Sequence, residues 1–218
     1  MFTGLIETTA NISALRRADR SVIISLIPAR SPFAVEPGAS VAVDGVCLTI
    51  EEVHRDVLTF RAVAETLSRT TLASCQVGGT VNLERSLRVD GRIDGHFVLG
   101  HSDGMGTLCG DRRVGDSLLR SIALPPALMP FMAAKGSVAV DGISLTISDR
   151  GSDRITVSLI PYSLTHTTLT TKGPGDHVNV ECDILARYLH TLLIGKEGES
   201  GRCGTDGELY RKLERLGF

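Results

Sequence analysis

The feature that most constrains this 218-residue chain is an eleven-residue stretch that occurs twice. Residues 40–50 read SVAVDGVCLTI and residues 137–147 read SVAVDGISLTI, so that only two positions differ. In both copies alternating apolar residues flank an Asp-Gly dipeptide, a pattern typical of two strands joined by a two-residue type I′ turn. The stretch therefore predicts an internal duplication built around a β-hairpin.

The register of such a hairpin fixes which side chains share a face, because facing residues lie on the same side of the sheet. One face of each copy is aliphatic and is expected to enter a core. The other face is small and polar, and suits a polar ligand. The predicted facing pairs of the first copy are Val43/Val46, Ala42/Cys47, Val41/Leu48 and Ser40/Thr49. The polar face of the second copy carries Ser137, Ala139, Ser144 and Thr146.

The repeat continues beyond the hairpins at a constant offset of 97 residues, so that residues 65–72 align with 162–169. Short apolar or alternating runs separated by turn residues predict an antiparallel all-β sandwich or barrel in each copy. The predicted strand runs are 20–27, 40–50, 57–64 and 80–84, and then 117–123, 137–147, 154–160 and 177–181. The predicted domains are residues 1–97, residues 98–184 and a C-terminal segment, 185–218.

Helical patterns are few. Short helical turns are predicted at 66–72, at the equivalent place in the second copy, and at 125–132. After Asp183 apolar residues recur with a period of 3.6 and stop at Gly195, which predicts a helix of about ten residues. Its apolar stripe would pack either on its own barrel or on copies of itself in an oligomer. Residues 195–207 are expected to be loose, and 209–216 to form a last short helix.

Composition excludes several classes of function. The net charge of −2 and the absence of long Lys/Arg runs argue against a nucleic-acid partner. The start of the chain lacks a leader pattern, and no apolar run reaches the ~20 residues of a membrane helix, so a soluble cytoplasmic protein is expected. Five widely spaced cysteines without a CxxC pair favour reduced thiols. His96 and His101 match no zinc motif, and no metal is expected.

Motifs along residues 1–190 are similar to those of the riboflavin synthase family. They include Met1-Phe2-Thr3-Gly4-Leu5-Ile6-Glu7, the Asp-Gly-x-x-Leu-Thr hairpin of both halves, Glu65-Thr66-Leu67, Val81-Asn82-Leu83-Glu84-Arg85, Gly95-His96-Phe97-Val98-x-Gly100-His101, Lys135-Gly136-Ser137, Ile160-Pro161 and Val178-Asn179-Val180-Glu181. The order and spacing of these motifs over both halves make the resemblance specific.

The resemblance implies two tandem six-stranded Greek-key β-barrels and a C-terminal α-helix that builds a homotrimer. It implies that two molecules of 6,7-dimethyl-8-ribityllumazine react to give riboflavin and 5-amino-6-(ribitylamino)uracil by transfer of a four-carbon unit. No cofactor is needed. Each site would lie between the N-terminal barrel of one subunit and the C-terminal barrel of a neighbour, and an association with lumazine synthase is a further expectation.

The resemblance also implies the site residues, which are carried over position by position. The first barrel would bind its ligand with Gly4, Leu5, Ile6, Ser40, Cys47, Leu48, Thr49, Arg61, Ala62, Val63, Ala64, Glu65 and Thr66. The second would use Gly100, His101, Ser102, Lys135, Ser144, Leu145, Thr146, Ser158, Leu159, Ile160, Pro161, Tyr162 and Ser163. The catalytic candidates are Cys47, Ser144, His101, His96, Asp183, Phe2 and Lys135.

The proposed roles follow from the reaction, which removes a proton from the 7-methyl group and adds a nucleophile to the ring. His101 or His96 would move protons, and Cys47 or Ser144 would add to the ring or orient water. Phe2 would supply an apolar wall, Lys135 would balance an anionic lumazine, and Asp183 would either orient a partner or cap the helix that follows it. The substitution of Ser144 for Cys47 would distinguish the two binding modules.

Two other functions are compatible with the sequence. The first is a non-catalytic antenna protein of the same fold that binds lumazine or flavin. The second is a purely structural pair of barrels, which would leave the small polar faces unexplained. Asp94, Ser102 and Ser163 depart from the usual family pattern, and the first two change the polarity of the loop around His96 and His101.

Overall fold

The computed structural model describes residues 1–194, which form two closed six-stranded antiparallel barrels and a C-terminal helix. The first barrel consists of β1 (Thr8–Ala18), β2 (Ser21–Pro28), β3 (Ser40–Val43), β4 (Val46–His54), β5 (Val57–Val63) and β6 (Thr80–Arg85). The second consists of β7 (Gly104–Val114), β8 (Ser117–Ala123), β9 (Ser137–Val140), β10 (Ile143–Arg150), β11 (Arg154–Leu159) and β12 (His177–Cys182). The predicted fold class is confirmed.

Three α-helices lie among the described residues: α1 (Ala64–Arg69), α2 (Pro161–His166) and α3 (Ile184–Ile194). Short 3₁₀-helices occupy Thr71–Ser74, Pro126–Phe131 and Thr168–Thr170. These elements confirm the helical turns predicted in each copy and the helix after Asp183. The loose segment and the last helix that were predicted beyond Gly195 lie outside the described residues. Within residues 1–194 no helix is long and apolar enough to span a membrane.

Both hairpins have the predicted register, with Val43 opposite Val46 and Val140 opposite Ile143. Their aliphatic faces fill the barrel cores, where Val41 and Val138 are fully buried. The opposite faces differ from the prediction at one position in each copy. Ala42 and Ala139 are 2% exposed and pack with Phe2 and Val98. The centre of each small face is therefore a contact between the barrels rather than ligand-facing surface.

The tips of the two hairpins meet back to back where the barrels join. Asp44 and Gly45 have positive φ, as do Asp141 and Gly142, which is the backbone of the predicted type I′ turns. A Cβ added to Gly45 would lie 2.5 Å from the backbone nitrogen of Gly142. Only glycine allows this approach, because it combines a positive φ with the absence of a side chain.

Two asparagines tie the barrels together in a symmetric arrangement. The side-chain amide of Asn82 donates to the Asp141 carbonyl at 3.0 Å, and that of Asn179 donates to the Asp44 carbonyl at 2.9 Å. Their side-chain oxygens accept from the backbone of the opposite copy, at Thr168 and at Thr71 respectively. Each buried amide is thereby satisfied on both sides, which holds the barrels in one relative orientation.

The two copies differ in one cation near the hairpin turns. Lys172 donates to the Asp141 carboxylate at 2.5 Å, whereas the equivalent position in the first copy is Cys75. Asp44 has no lysine in the equivalent place, although its carboxylate still accepts from the Asn82 backbone. Burial and then the neighbouring Asp141 charge raise the pKa of Asp44 to about 7, against the opposing effect of Lys172.

Candidate functional site

The Ser144 side chain lies at the junction between the second barrel and the start of the chain. Its backbone N–H donates to the Gly4 carbonyl at 2.8 Å, and a Cβ at Gly4 would be 2.6 Å from the Ser144 Cβ. The hydroxyl is 2.7 Å from Nδ1 of His96, within hydrogen-bond distance. Ser144 and His96 therefore form a hydroxyl–imidazole pair, the arrangement by which proteins move protons to and from a hydroxyl.

His96 comes from the segment that joins the two barrels, and its backbone N–H donates to the Thr3 carbonyl at 3.1 Å. Its other ring nitrogen, Nε2, is buried and has no hydrogen-bond partner among the described residues. Burial lowers the pKa of His96, and the charge of Asp183 acts in the opposite direction. The ring is therefore neutral near pH 7, and a neutral imidazole can either accept or donate a proton.

Cys47 occupies the equivalent place at the first barrel. Its backbone N–H donates to the Gly100 carbonyl at 2.8 Å, and a Cβ at Gly100 would be 2.5 Å from the Cys47 Cβ. His101 follows Gly100, and its side chain is exposed. Among the described residues no hydrogen bond joins a histidine to the thiol. The two equivalent positions thus differ in their surroundings as well as in their nucleophiles.

The structure corrects the predicted grouping of the site residues. The sequence placed Gly4 with Cys47 in one site and Gly100 with Ser144 in the other. The opposite pairing is observed, because the opening segment of each copy contacts the hairpin of the other barrel. The opening segments are residues 1–7, which precede β1, and residues 98–103, which precede β7. Phe2 and Val98 form an antiparallel bridge between these two segments, and both are fully buried. Consequently Phe2 packs between the barrels, against Ala42 and Ala139, rather than forming an open apolar wall.

The remaining predicted residues fall into three groups by exposure. Leu48, Ala62, Leu145 and Leu159 are buried in the cores, so only their backbone atoms are available to a ligand. The exposed group consists of Leu5, Thr49, Val63, Ala64, Glu65, His101, Lys135, Thr146, Ile160, Pro161 and Tyr162. The half-buried group consists of Ile6, Ser40, Arg61, Thr66, Ser102, Ser158, Ser163 and Asp183.

Several of these side chains already have protein partners. The Arg61 guanidinium donates to both carboxylate oxygens of Glu51, at 2.6 and 3.1 Å. The Ser102 hydroxyl donates to the Gly104 carbonyl at 3.1 Å. Tyr162 stacks on His166 with ring centroids 4.0 Å apart. A ligand that uses these groups must share or replace such contacts.

A cavity of about 430 Å³ lies beside the first barrel, lined in part by Thr3, Leu5, Ser40 and Glu84. Neither Cys47 nor Ser144 lines it. The cavity therefore brings together only two of the predicted binding residues, Leu5 and Ser40. Within residues 1–194 no three His, Cys, Asp or Glu side chains converge as a metal site.

Sequence reasoning missed two buried carboxylates, Glu84 and Glu181, which occupy equivalent positions in the last strands of the two barrels. Glu84 accepts from the backbone of Thr3 and Gly4, and Glu181 accepts from the backbone of Leu99, Gly100 and His101. Burial raises the pKa of both carboxyls, and these hydrogen bonds act against the rise. The available signal was a glutamate repeated at equivalent positions of the two last strands, next to the core residues Leu83 and Val180. A buried charge is rarely left unpaired.

Comparison with known families gives two matches in this chain. Residues 3–86 and 99–183 each match the model of the lumazine binding domain. The matched ranges contain the two barrels and most of each opening segment, so the internal duplication is a duplication of this domain.

Curated relatives are similar over most of their length. The riboflavin synthase of Chlamydia muridarum is 40% identical over 86% of this chain and 92% of that protein. The riboflavin synthase of Brucella abortus is 39% identical over 88% of this chain and 98% of that protein. That of Photobacterium leiognathi is 36% identical over all of this chain and 99% of that protein.

Among solved structures, the fold is similar to LumP. LumP complexed with riboflavin aligns with a TM-score of 0.76 and 26% identity, over 84% of this chain and 99% of that chain. LumP complexed with 6,7-dimethyl-8-(1'-D-ribityl) lumazine aligns with a TM-score of 0.74 and 24% identity over the same shares. The two-barrel architecture is therefore also that of proteins solved with lumazine and with flavin bound.

Proposed function

The chain belongs to the riboflavin synthase family, and we propose that it carries out the family reaction at the crossed junctions around Ser144 and Cys47. Two molecules of 6,7-dimethyl-8-ribityllumazine are converted into riboflavin and 5-amino-6-(ribitylamino)uracil. One lumazine gives up a four-carbon unit and the other accepts it. Two similar binding modules in one chain suit a reaction between two identical molecules.

The observation that carries the proposal is the hydrogen bond between His96 Nδ1 and the Ser144 hydroxyl at 2.7 Å. The reaction begins with removal of a proton from the acidic 7-methyl group of one lumazine. When Nε2 carries the imidazole proton, Nδ1 accepts the proton of the Ser144 hydroxyl, which frees Oγ to accept one from the methyl group. Because burial lowers the pKa of His96, the imidazole is neutral and able to do this at pH 7.

Cys47 takes the other role, which is nucleophilic addition to the lumazine ring. A half-buried thiol without a histidine partner among residues 1–194 is a poor proton relay but suits addition to an electrophilic ring. The donor and acceptor roles of the two lumazines are thereby assigned to different nucleophiles. Lys135 and His101 are exposed, where they are available to a ligand held between two subunits.

The proposed assembly is a cytoplasmic homotrimer in which α3 packs against its copies, and association with lumazine synthase remains part of the proposal. Its support is the helix itself, on which Leu189, Leu192 and Leu193 are each at least 60% exposed. Exposed apolar side chains in such a row mark an interaction surface. A chain that ends at residue 183 is expected to give smaller species by light scattering, and a trimer of that chain would contradict the role of α3.

A second candidate function is a non-catalytic antenna protein that binds the same chromophores. The similarity of the fold to LumP favours it. The sequence identity to riboflavin synthases is higher, at up to 40% against 24 to 26%, and favours the enzyme.

Incubation of the protein with 6,7-dimethyl-8-ribityllumazine separates the two functions. The enzyme is expected to form one riboflavin for every two lumazines consumed, over many turnovers, as followed by absorbance and chromatography. Stoichiometric binding with a change in fluorescence but no riboflavin would support the antenna protein and contradict the proposal.

A further inference from the structure

Each barrel carries a buried glutamate whose two carboxylate oxygens both accept hydrogen bonds from the backbone of an opening segment. Glu84 is 4% exposed, and its Oε1 accepts from the Thr3 N–H at 2.7 Å and from the Thr3 hydroxyl at 3.0 Å. Its Oε2 accepts from the Gly4 N–H at 3.0 Å. A carboxylate that binds successive N–H groups with both oxygens fixes the position of that backbone.

Glu181 repeats this arrangement in the second barrel. It is 7% exposed, and Oε1 accepts from the Leu99 N–H at 2.6 Å. Oε2 accepts from the N–H groups of Gly100 and His101, at 2.9 and 3.0 Å. The same side chain at equivalent positions therefore holds equivalent segments. The hydrogen bonds of both carboxylates go to these segments and not to Ser144, His96 or Cys47.

The segments that the glutamates hold end at the opposite barrel. Gly4, held by Glu84, accepts from the Ser144 N–H of the second barrel. Thr3, also held by Glu84, accepts from the His96 N–H. Gly100, held by Glu181, accepts from the Cys47 N–H of the first barrel. Each carboxylate is thus connected to the reactive group of the other barrel through one intervening residue.

The fit at these junctions leaves little room for movement. A Cβ on Gly4 would be 2.6 Å from the Ser144 Cβ, and a Cβ on Gly100 would be 2.5 Å from the Cys47 Cβ. Both glycines have positive φ, at +79° and +81°. A segment packed this closely transmits a shift at its anchor directly to the side chain it contacts, because packed interiors do not deform freely.

We propose that Glu84 and Glu181 are positioning residues that act across the junction. Glu84 sets the geometry of Ser144 and His96, and Glu181 sets that of Cys47. The inference rests on the proposed function, since these groups are taken to be reactive. It extends that function by making the catalytic geometry of each barrel depend on a carboxylate in the other.

The matched variants Glu84→Gln and Glu181→Gln test this directly. Glutamine keeps the shape and one oxygen, but it places an NH₂ group where the backbone donates, so at least one hydrogen bond is lost. The two variants serve as controls for each other, because the same change is made in equivalent places. Glu84→Asp and Glu181→Asp keep the charge and provide a second pair if a glutamine variant does not fold.

Two measurements report separately on the Ser144 junction and the Cys47 junction. Exchange of the lumazine 7-methyl protons with D₂O, in excess of the rate without protein, reports on Ser144 and His96. Protection of Cys47 from iodoacetamide by bound riboflavin, read by peptide mass mapping, reports on the other junction. Steady-state kcat and KM and a thermal melt are measured on the same samples, so that loss of fold is seen separately.

Glu84→Gln is expected to lower catalysed exchange on the order of 100-fold while riboflavin still protects Cys47. Glu181→Gln is expected to reduce the protection of Cys47 and to keep the exchange. Equal loss of both readouts in both variants, in step with the melting temperature, would overturn the inference, and so would unchanged readouts. Absence of turnover and exchange in the wild-type protein would instead contradict the proposed function.

Discussion

At the scale of single residues, Cys47 and Ser144 occupy equivalent hairpin positions, and of these two only Ser144 has a histidine of residues 1–194 within hydrogen-bond distance. The alternation of the hairpin was enough to place Cys47 and Ser144 on the same face of equivalent strands, because register follows from the Asp-Gly turn. The hydrogen bond from His96 was not predictable from pattern, since it depends on the path of the segment between the barrels.

Asp44 provides a prediction at this scale. Its pKa in the folded protein, about 7, lies above the unfolded value, so the folded state binds the proton more tightly. The contribution to stability is therefore present at low pH and is lost as the pH rises from about 4 to about 7. Asp44→Asn keeps an oxygen for the Asn82 N–H and tolerates the positive φ, yet cannot ionise.

We expect the free energy of unfolding of Asp44→Asn minus that of the wild-type protein to be larger at pH 8 than at pH 5. Urea melts at both pH values measure it. Taking the difference between the two proteins removes the contributions of groups that do not interact with Asp44, and the remainder reports on Asp44 together with its charged neighbours Asp141 and Lys172. Asp116→Asn, which removes an exposed carboxylate from a turn, controls for net charge. A difference that stays constant with pH would contradict the raised pKa.

At the scale of elements, the strands with regular alternation were predicted and two long ones were missed. Residues 8–18 and 104–114 form β1 and β7, the first strand of each barrel. Both contain a shift of register in their pairing with the next strand, which interrupts the period of two. The segment in β7 also contains three glycines, a residue that is depleted in strands. Tertiary pairing therefore overrides a weak local signal.

The back-to-back turns give a prediction for the hairpin as an element. Gly45→Ala would combine a positive φ with a Cβ 2.5 Å from the Gly142 nitrogen, so we expect it to cost more than the ~1 kcal/mol of backbone strain alone. Gly78→Ala is the matched control, because Gly78 has a φ of +87° and no atom within 4 Å of its added Cβ. Denaturant melts of both variants measure the difference. Equal destabilisation would show that the contact between the turns contributes nothing.

At the scale of the whole molecule, the duplication was visible in the sequence, whereas the exchange of opening segments between the barrels was not. Equivalent sequences predict equivalent barrels, but they do not say which barrel a segment reaches. The observed crossing places Gly4 beside Ser144 and Gly100 beside Cys47, so each junction needs both copies. This explains physically why the two domains form one unit over residues 1–184.

In the proposed reaction the two equivalent modules are an unequal pair, and Ser144 and His96 remove the proton. The most direct measurement is the catalysed exchange of lumazine 7-methyl protons with D₂O in Ser144→Ala, His96→Gln and Cys47→Ala. Positioned acid–base groups contribute roughly 10²- to 10⁴-fold, so the first two variants should lose a factor of that size while the third keeps the exchange. Loss of exchange in Cys47→Ala, with exchange preserved in Ser144→Ala and His96→Gln, would contradict the claim.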